Sequence, residues 1–126
     1  MSDLFTSLKQ AAAGMQAQSM RLRHVSENIA NADTPGYHRK TISFEEAMDT
    51  GLVEAGRMRL DRSELTQIYD PGHPLADESG HYDGSNVDLV IEIADAREAQ
   101  RSYEANLRMF DQARQMTTSL FDLLRR

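Results

Sequence analysis

Residues 86–124 read NVDLVIEIADAREAQRSYEANLRMFDQARQMTTSLFDLL, a stretch without proline or glycine. Within it Leu89, Glu92, Ala96, Ala99, Tyr103, Asn106, Phe110, Ala113, Thr117, Leu120 and Leu124 recur alternately three and four apart. That spacing lays one narrow stripe along one helix face, the pattern of a coiled-coil seam. Asn86 or Asp88 is suited to cap the start, and a helix running from there to Leu124 would be about 55 Å long. Met109, Met116 and Leu123 widen the stripe, and a wide stripe favours a helix with more than one neighbour over an ordinary two-helix core.

The other end of the chain repeats the pattern. Leu4, Leu8, Ala11, Met15, Gln18, Leu22, Val25 and Ile29 are spaced four and three apart. The spacing predicts a helix capped by Ser2 or Asp3 and running to about Ala32, roughly 40 Å. Gly14, following Ala11, Ala12 and Ala13, costs helix stability, and reads equally as a glycine the helix tolerates or as one that lets a second helix approach closely. The fold class expected is therefore mainly α, with the two terminal helices paired as a coiled coil.

Between them lie all three prolines and every glycine but Gly14. Thr34-Pro35-Gly36 stops the first helix, since proline disfavours α geometry in the residue before it. Thr41–Phe44 alternates well enough for a short strand, and Glu45–Met48 suits a helical turn. Arg57–Leu60 and Leu65–Tyr69 read as short strands that could pair. Asp70-Pro71-Gly72-His73-Pro74 is a rigid turn, and Asp77–Ser85 a polar loop. The expected organisation is an N-terminal helix over residues 1–33, a turn-rich outer segment over 34–85 and a C-terminal helix over 86–126.

Composition narrows the function. Fourteen basic and twenty acidic residues give a net charge of −6, unlike the clustered positive charge that nucleic acid requires. Arg57, Arg59 and Arg62 alternate with Asp61 and Glu64 as a mixed solvated face. The absence of cysteine removes disulfides and thiolate chemistry. No apolar run is long enough to span a bilayer, so no direct membrane insertion is expected, and no cleavable secretory signal is apparent. His73 and His81, among Asp70, Asp77, Glu78 and Asp83, match neither zinc nor calcium spacing. His24, flanked by Arg21 and Arg23, is expected to be exposed. No nucleotide or hydrolase motif appears, so no catalytic residue, metal or cofactor is assigned.

Three segments carry a resemblance. NIANADTPGY, Asn28–Tyr37, is similar to the signature of the flagellar rod, hook and filament-junction family of axial proteins, where it closes the N-terminal helix. IYDPGHPLAD, Ile68–Asp77, and NVDLV with REAQRSYEANL, Arg97–Leu107, resemble the short proximal-rod members. ADTPGY and DGSNVDL, Asp83–Leu89, also resemble a sister proximal-rod branch; the DPGHP turn, Asp70–Pro74, and the RSYEAN block, Arg101–Asn106, favour the first, with the second as the alternative.

The resemblance implies a non-enzymatic subunit, exported by the flagellar type III apparatus without a cleaved signal. It would polymerise in the periplasm with copies of itself and other rod and basal-body proteins, forming a drive shaft. Leu8, Met15, Leu22, Ile29, Tyr103, Asn106, Phe110 and Leu120 are then expected to carry the assembly contacts. Asn28, Asn31, Asp33, Thr34, Pro35, Gly36, Tyr37, Pro71, Gly72, Pro74, Asn86, Val87 and Asp88 would shape the turns and helix ends. Two other readings compete: a two-helix adaptor or export chaperone that does not polymerise, and a small hydrolase using His73 or His81.

Overall fold

Two long helices run side by side, joined by six short strands, in the computed structural model, which describes residues 2–125. Helix α1 spans Ser2–Ala30 and α2 spans Leu89–Leu124. Ser2 and Asp3 lie inside α1 rather than capping it, and the capping position itself falls outside the described residues. Asp3 still suits the first turn, where a carboxylate opposes the helix dipole. At α2 the cap is Asp88, whose side chain accepts the Val90 N–H at 3.0 Å.

The helices are antiparallel. Asn28, near the end of α1, meets Glu92 near the start of α2, Arg21 meets Asp95, and Gly14 lies against Asn106. Small side chains set their spacing: among the described residues the buried apolar ones are Ala11, Ala17, Val25, Ala99 and Ala113. A Cβ on Gly14 would sit 2.7 Å from the Asn106 side-chain amide, so the glycine is what admits that side chain. Asn106 itself donates to the Ser102 carbonyl at 2.9 Å.

Along the expected α2 stripe Glu92, Ala99 and Ala113 are buried and the others half-buried, except at its two ends, where Leu89 and Leu124 are exposed. On α1 the stripe drifts. Ile29 is 39 % exposed, and the fully buried position beside it is Asn28. A straight helix turns every 3.6 residues, so a 3.5-residue repeat slips by about 20° per heptad. That slip would carry the inward position to later residues, yet Gly14 and Asn28 are buried where Met15 and Ile29 were expected to be, because Gly14 admits the Asn106 side chain and Asn28 bonds Glu92 and Lys40.

The middle segment forms three two-stranded antiparallel sheets. Strand β1 (Lys40–Thr41) pairs with β4 (Arg59–Leu60), β2 (Phe44–Glu46) with β3 (Val53–Ala55), and β5 (Gln67–Tyr69) with β6 (His81–Asp83). Four local expectations fail in this segment. The Thr41–Phe44 strand splits, because its two halves find different partners. Glu45 and Glu46 are extended rather than helical, since pairing with Glu54 and Val53 overrides their helix propensity.

The strands in Arg57–Leu60 and Leu65–Tyr69 do not pair with each other. Asp61 accepts the Ser63 N–H at 2.9 Å in a local turn that leads the chain away instead of folding it back. β5 finds its partner inside the stretch expected to be a polar loop. There Tyr82 sits opposite Ile68 and stacks on His73, ring centroids 3.9 Å apart. The Asp70–Pro74 turn forms as expected, with Asp70 accepting the Gly72 and His73 N–H groups. The β2–β3 hairpin lies along α1.

Candidate functional site

Where the two helices meet the outer segment, a polar cluster takes the place of apolar core. Asn28 and Glu92 are both 0 % exposed. Burying such groups is costly unless every polar atom is paired. Asn28 uses all four of its side-chain bonds. Its amide nitrogen donates to the Lys40 carbonyl at 2.9 Å and to Glu92 at 3.2 Å. Its oxygen accepts the Tyr37 hydroxyl at 2.8 Å and the Lys40 N–H at 2.7 Å. One side chain thus ties α1, β1, the turn and α2 together.

Glu92 accepts Arg39 Nε at 2.6 Å through its other oxygen. Arg39 also faces Asp61 at 3.6 Å and Asp95 at 3.5 Å. Burial works against its charge, but the contacts with Glu92 and Asp61 outweigh it and raise the guanidinium pKa. The Ser63 backbone N–H and hydroxyl, with Arg39 behind them, hold the Asp61 carboxyl below its ordinary range. Arg21 bridges Asp95 and Glu98, each at 3.3 Å. At the rim, Lys40 bonds Glu27 at 2.6 Å and lowers that carboxyl's pKa. Asn86 completes the ring by accepting the Arg39 N–H at 2.6 Å and donating to the Asp61 carbonyl at 2.9 Å.

The turn after α1 delivers Tyr37 and Arg39 to this cluster. Asn31 donates to the Glu27 carbonyl and accepts the Thr34 hydroxyl. Gly36 adopts φ +75°, a conformation that penalises any Cβ. Its N–H reaches the Asp83 and Gly84 carbonyls at 3.2 and 3.0 Å. Ser85 bonds the Ala32 carbonyl from the other side. Asp33, Thr34 and Pro35 stand exposed. Val87 is half-buried, its N–H donating to the Ser85 hydroxyl.

The expected contact residues Leu8, Met15, Leu22, Tyr103, Asn106, Phe110 and Leu120 are half-buried, along the seam between the chain's own helices. Much of the apolar surface left open lies elsewhere on α2. Met116, Met109 and Leu123 are 51, 55 and 60 % exposed, and Val90, Ile91 and Ile93 form a further group at its start. His24 is half-buried, not exposed, with its Nδ1 3.9 Å from Glu27. His73 and His81 are held by rings and turns of the β5–β6 unit.

Arg39, Asp61, Asp95 and Arg21 were missed at the level of sequence. No spacing marks them, because they converge only through long-range folding.

Comparison with known proteins bears on the same segments. The family described as "Flagella basal body rod protein" matches residues 8–38. That described as "Flagellar basal body rod FlgEFG protein C-terminal" matches residues 78–123. The flagellar basal-body rod protein FlgC of Agrobacterium fabrum is 45 % identical over 99 % of this chain and 98 % of its own length. FlgC of Aquifex aeolicus is 32 % identical over 97 % and 98 %, and FlgC of Salmonella typhimurium 32 % identical over 84 % and 87 %.

Proposed function

The chain belongs to the FlgC family of flagellar basal-body rod proteins, and on that premise we propose how it polymerises into the proximal rod and what each part contributes. Of the two proximal-rod branches, the matched relatives favour FlgC over FlgB. The observation that carries the reading is the mismatch between core and surface. The helix pair buries alanines and one valine, while Met109, Met116, Leu123, Val90 and Ile93 stay open on α2. Apolar surface left outside a helix seam marks contact with further chains. Subunits related by a helical operator meet through heterologous faces, so the contacts repeat without closing and a shaft grows.

Residues 1–33 and 86–126 then form the helical wall, and residues 34–85 the outer segment. Leu8, Met15, Leu22, Tyr103, Phe110 and Leu120 contribute their remaining open sides to neighbouring subunits. The polar cluster acts as a clasp and not as a catalytic centre: the side-chain bonds of Asn28 and the oxygens of Glu92 are spent on the fold. The partners are copies of this chain and other rod proteins. Export by the flagellar type III apparatus, without a cleaved signal, and assembly in the periplasm complete the proposal. A chain lacking cysteine, with so light a core, is suited to travel unfolded.

An adaptor or export chaperone would instead be a stable fold by itself. Amide exchange on the purified chain at low concentration is therefore expected to be fast across Leu4–Gly14 and Asn106–Leu124 and slower toward Asn28 and Glu92, because packing in the polymer supplies most of the stability of the helices away from the clasp. Strong protection throughout both segments would favour the adaptor.

A second test concerns the turn. Replacing Pro35 and Gly36 together by alanine places a Cβ at φ +75°, costing about 1–2 kcal/mol, and removes the block to helix at Thr34. Tyr37 then loses its approach to Asn28. The expected outcome is a chain present in cells but depleted from purified basal bodies. Wild-type incorporation would show the turn to be dispensable.

A further inference from the structure

The outer segment carries its charge in two opposed blocks. Residues 44–55, FEEAMDTGLVEA, hold Glu45, Glu46, Asp49 and Glu54 and no basic residue. Residues 57–62, RMRLDR, hold Arg57, Arg59 and Arg62 and one acid, Asp61, which is already engaged by Ser63 and Arg39. Only Gly56 separates the blocks, yet they do not neutralise each other. Among the described residues, none of those four acids and three arginines forms an ion pair within 4.0 Å.

The two blocks follow one another along an irregular hairpin: β2 pairs with β3 toward the turn, and β1 with β4 toward the base, with the Gly56 N–H bonded to the Ser43 carbonyl at 2.7 Å between them. Both blocks also present apolar side chains to solvent. Phe44, Val53 and the fully exposed Met48 lie on the hairpin, and Met58 and Leu60 lie between the arginines.

We propose that the β2–β3 hairpin of one copy seats on the Arg57–Arg62 strip of the next copy, methionine and leucine side chains at the centre and opposite charges around them. This rests on the reading that the chain polymerises. A second copy is the occupant because every copy brings the matching strip in equal number with the hairpin. The two surfaces differ from each other, so the contact is head-to-tail, the kind that a helical array of copies repeats. Charge complementarity of this kind fixes orientation and rejects wrong registers more than it adds affinity.

The absence of native cysteine makes the contact testable in the full chain. Met48→Cys and Met58→Cys together, treated with a bismaleimide in purified basal bodies, should give a ladder of linked copies that neither single variant gives. Cross-links only to another basal-body protein, or none, would overturn the proposal. Reversing Glu45, Glu46 and Glu54 to lysine should lower incorporation by about tenfold, since like charges are then brought together. Adding Arg57→Glu, Arg59→Glu and Arg62→Glu to the same chain should restore it, and failure to restore it counts against the pairing. The chain present in basal bodies without a ladder defeats this contact alone. A wild-type chain absent from basal bodies defeats the rod reading as well.

Discussion

Replacing Glu92 by alanine is expected to abolish incorporation into the rod, and with it swimming. Glu92 is fully buried, bonded by Arg39 at 2.6 Å and by Asn28 at 3.2 Å. Removing one partner of a buried ion pair strands the other, at roughly 3–5 kcal/mol. Here the loss falls where α1, α2 and the outer segment join, so their relative placement goes with it. Glu92→Gln, which can still accept from Arg39, should be milder. Glu98→Ala is the control: its carboxylate also meets an arginine, but at the exposed surface, where such a pair contributes about 0–1 kcal/mol. The measurement is the amount of each variant in purified basal bodies relative to its amount in cells. Normal rods from Glu92→Ala would show that the clasp does not hold the subunit together.

Enlarging Ala99 to leucine should be nearly as damaging, for the opposite reason. Ala99 has no exposed surface and lies in a seam whose buried apolar residues are alanines and Val25. Forcing methylenes into a well-packed seam costs about 1–3 kcal/mol, and here the two helix axes must separate to accept them. The effect then spreads to Gly14 and Asn106, whose contact depends on close approach. Ala105→Leu adds the same bulk to an exposed position of α2. Incorporation of the two variants should differ clearly. Equal effects would mean that the outer face of α2, and not the seam, is the crowded one.

Both helices were legible in the sequence because a repeat sustained over many turns averages out local exceptions. The α2 seam was legible almost residue by residue. On α1 the heptad put Ile29 inward and left Asn28 to the helix end, whereas the bonds of Asn28 to Glu92 and Lys40 decide which face turns in. The letters of the Asn28–Tyr37 motif were visible, but their physical work was not. Asn28 finds Glu92 sixty-four residues away, and no local pattern announces that. The strands were the least readable part. Sheets of two or three residues are decided by their partners, and a segment as polar as His81–Asp83 pairs because Ile68 and His73 give Tyr82 something to lie against.

Among the described residues, the ion pairs that join the two helices lie toward one end of the pair. They and the buried amide of Asn28 gather around Glu92, whereas near Gly14 the seam packs small side chains in one close approach. A pair held this way behaves like a peg with a tight spring and loose jaws. The jaws, near Leu4 and Leu120, can part without disturbing the joint that orients the outer segment. A subunit arriving at a growing tip would therefore present its outer segment already aimed while its helix ends remain free to thread between those in place. Closure would come last, from the neighbours' side.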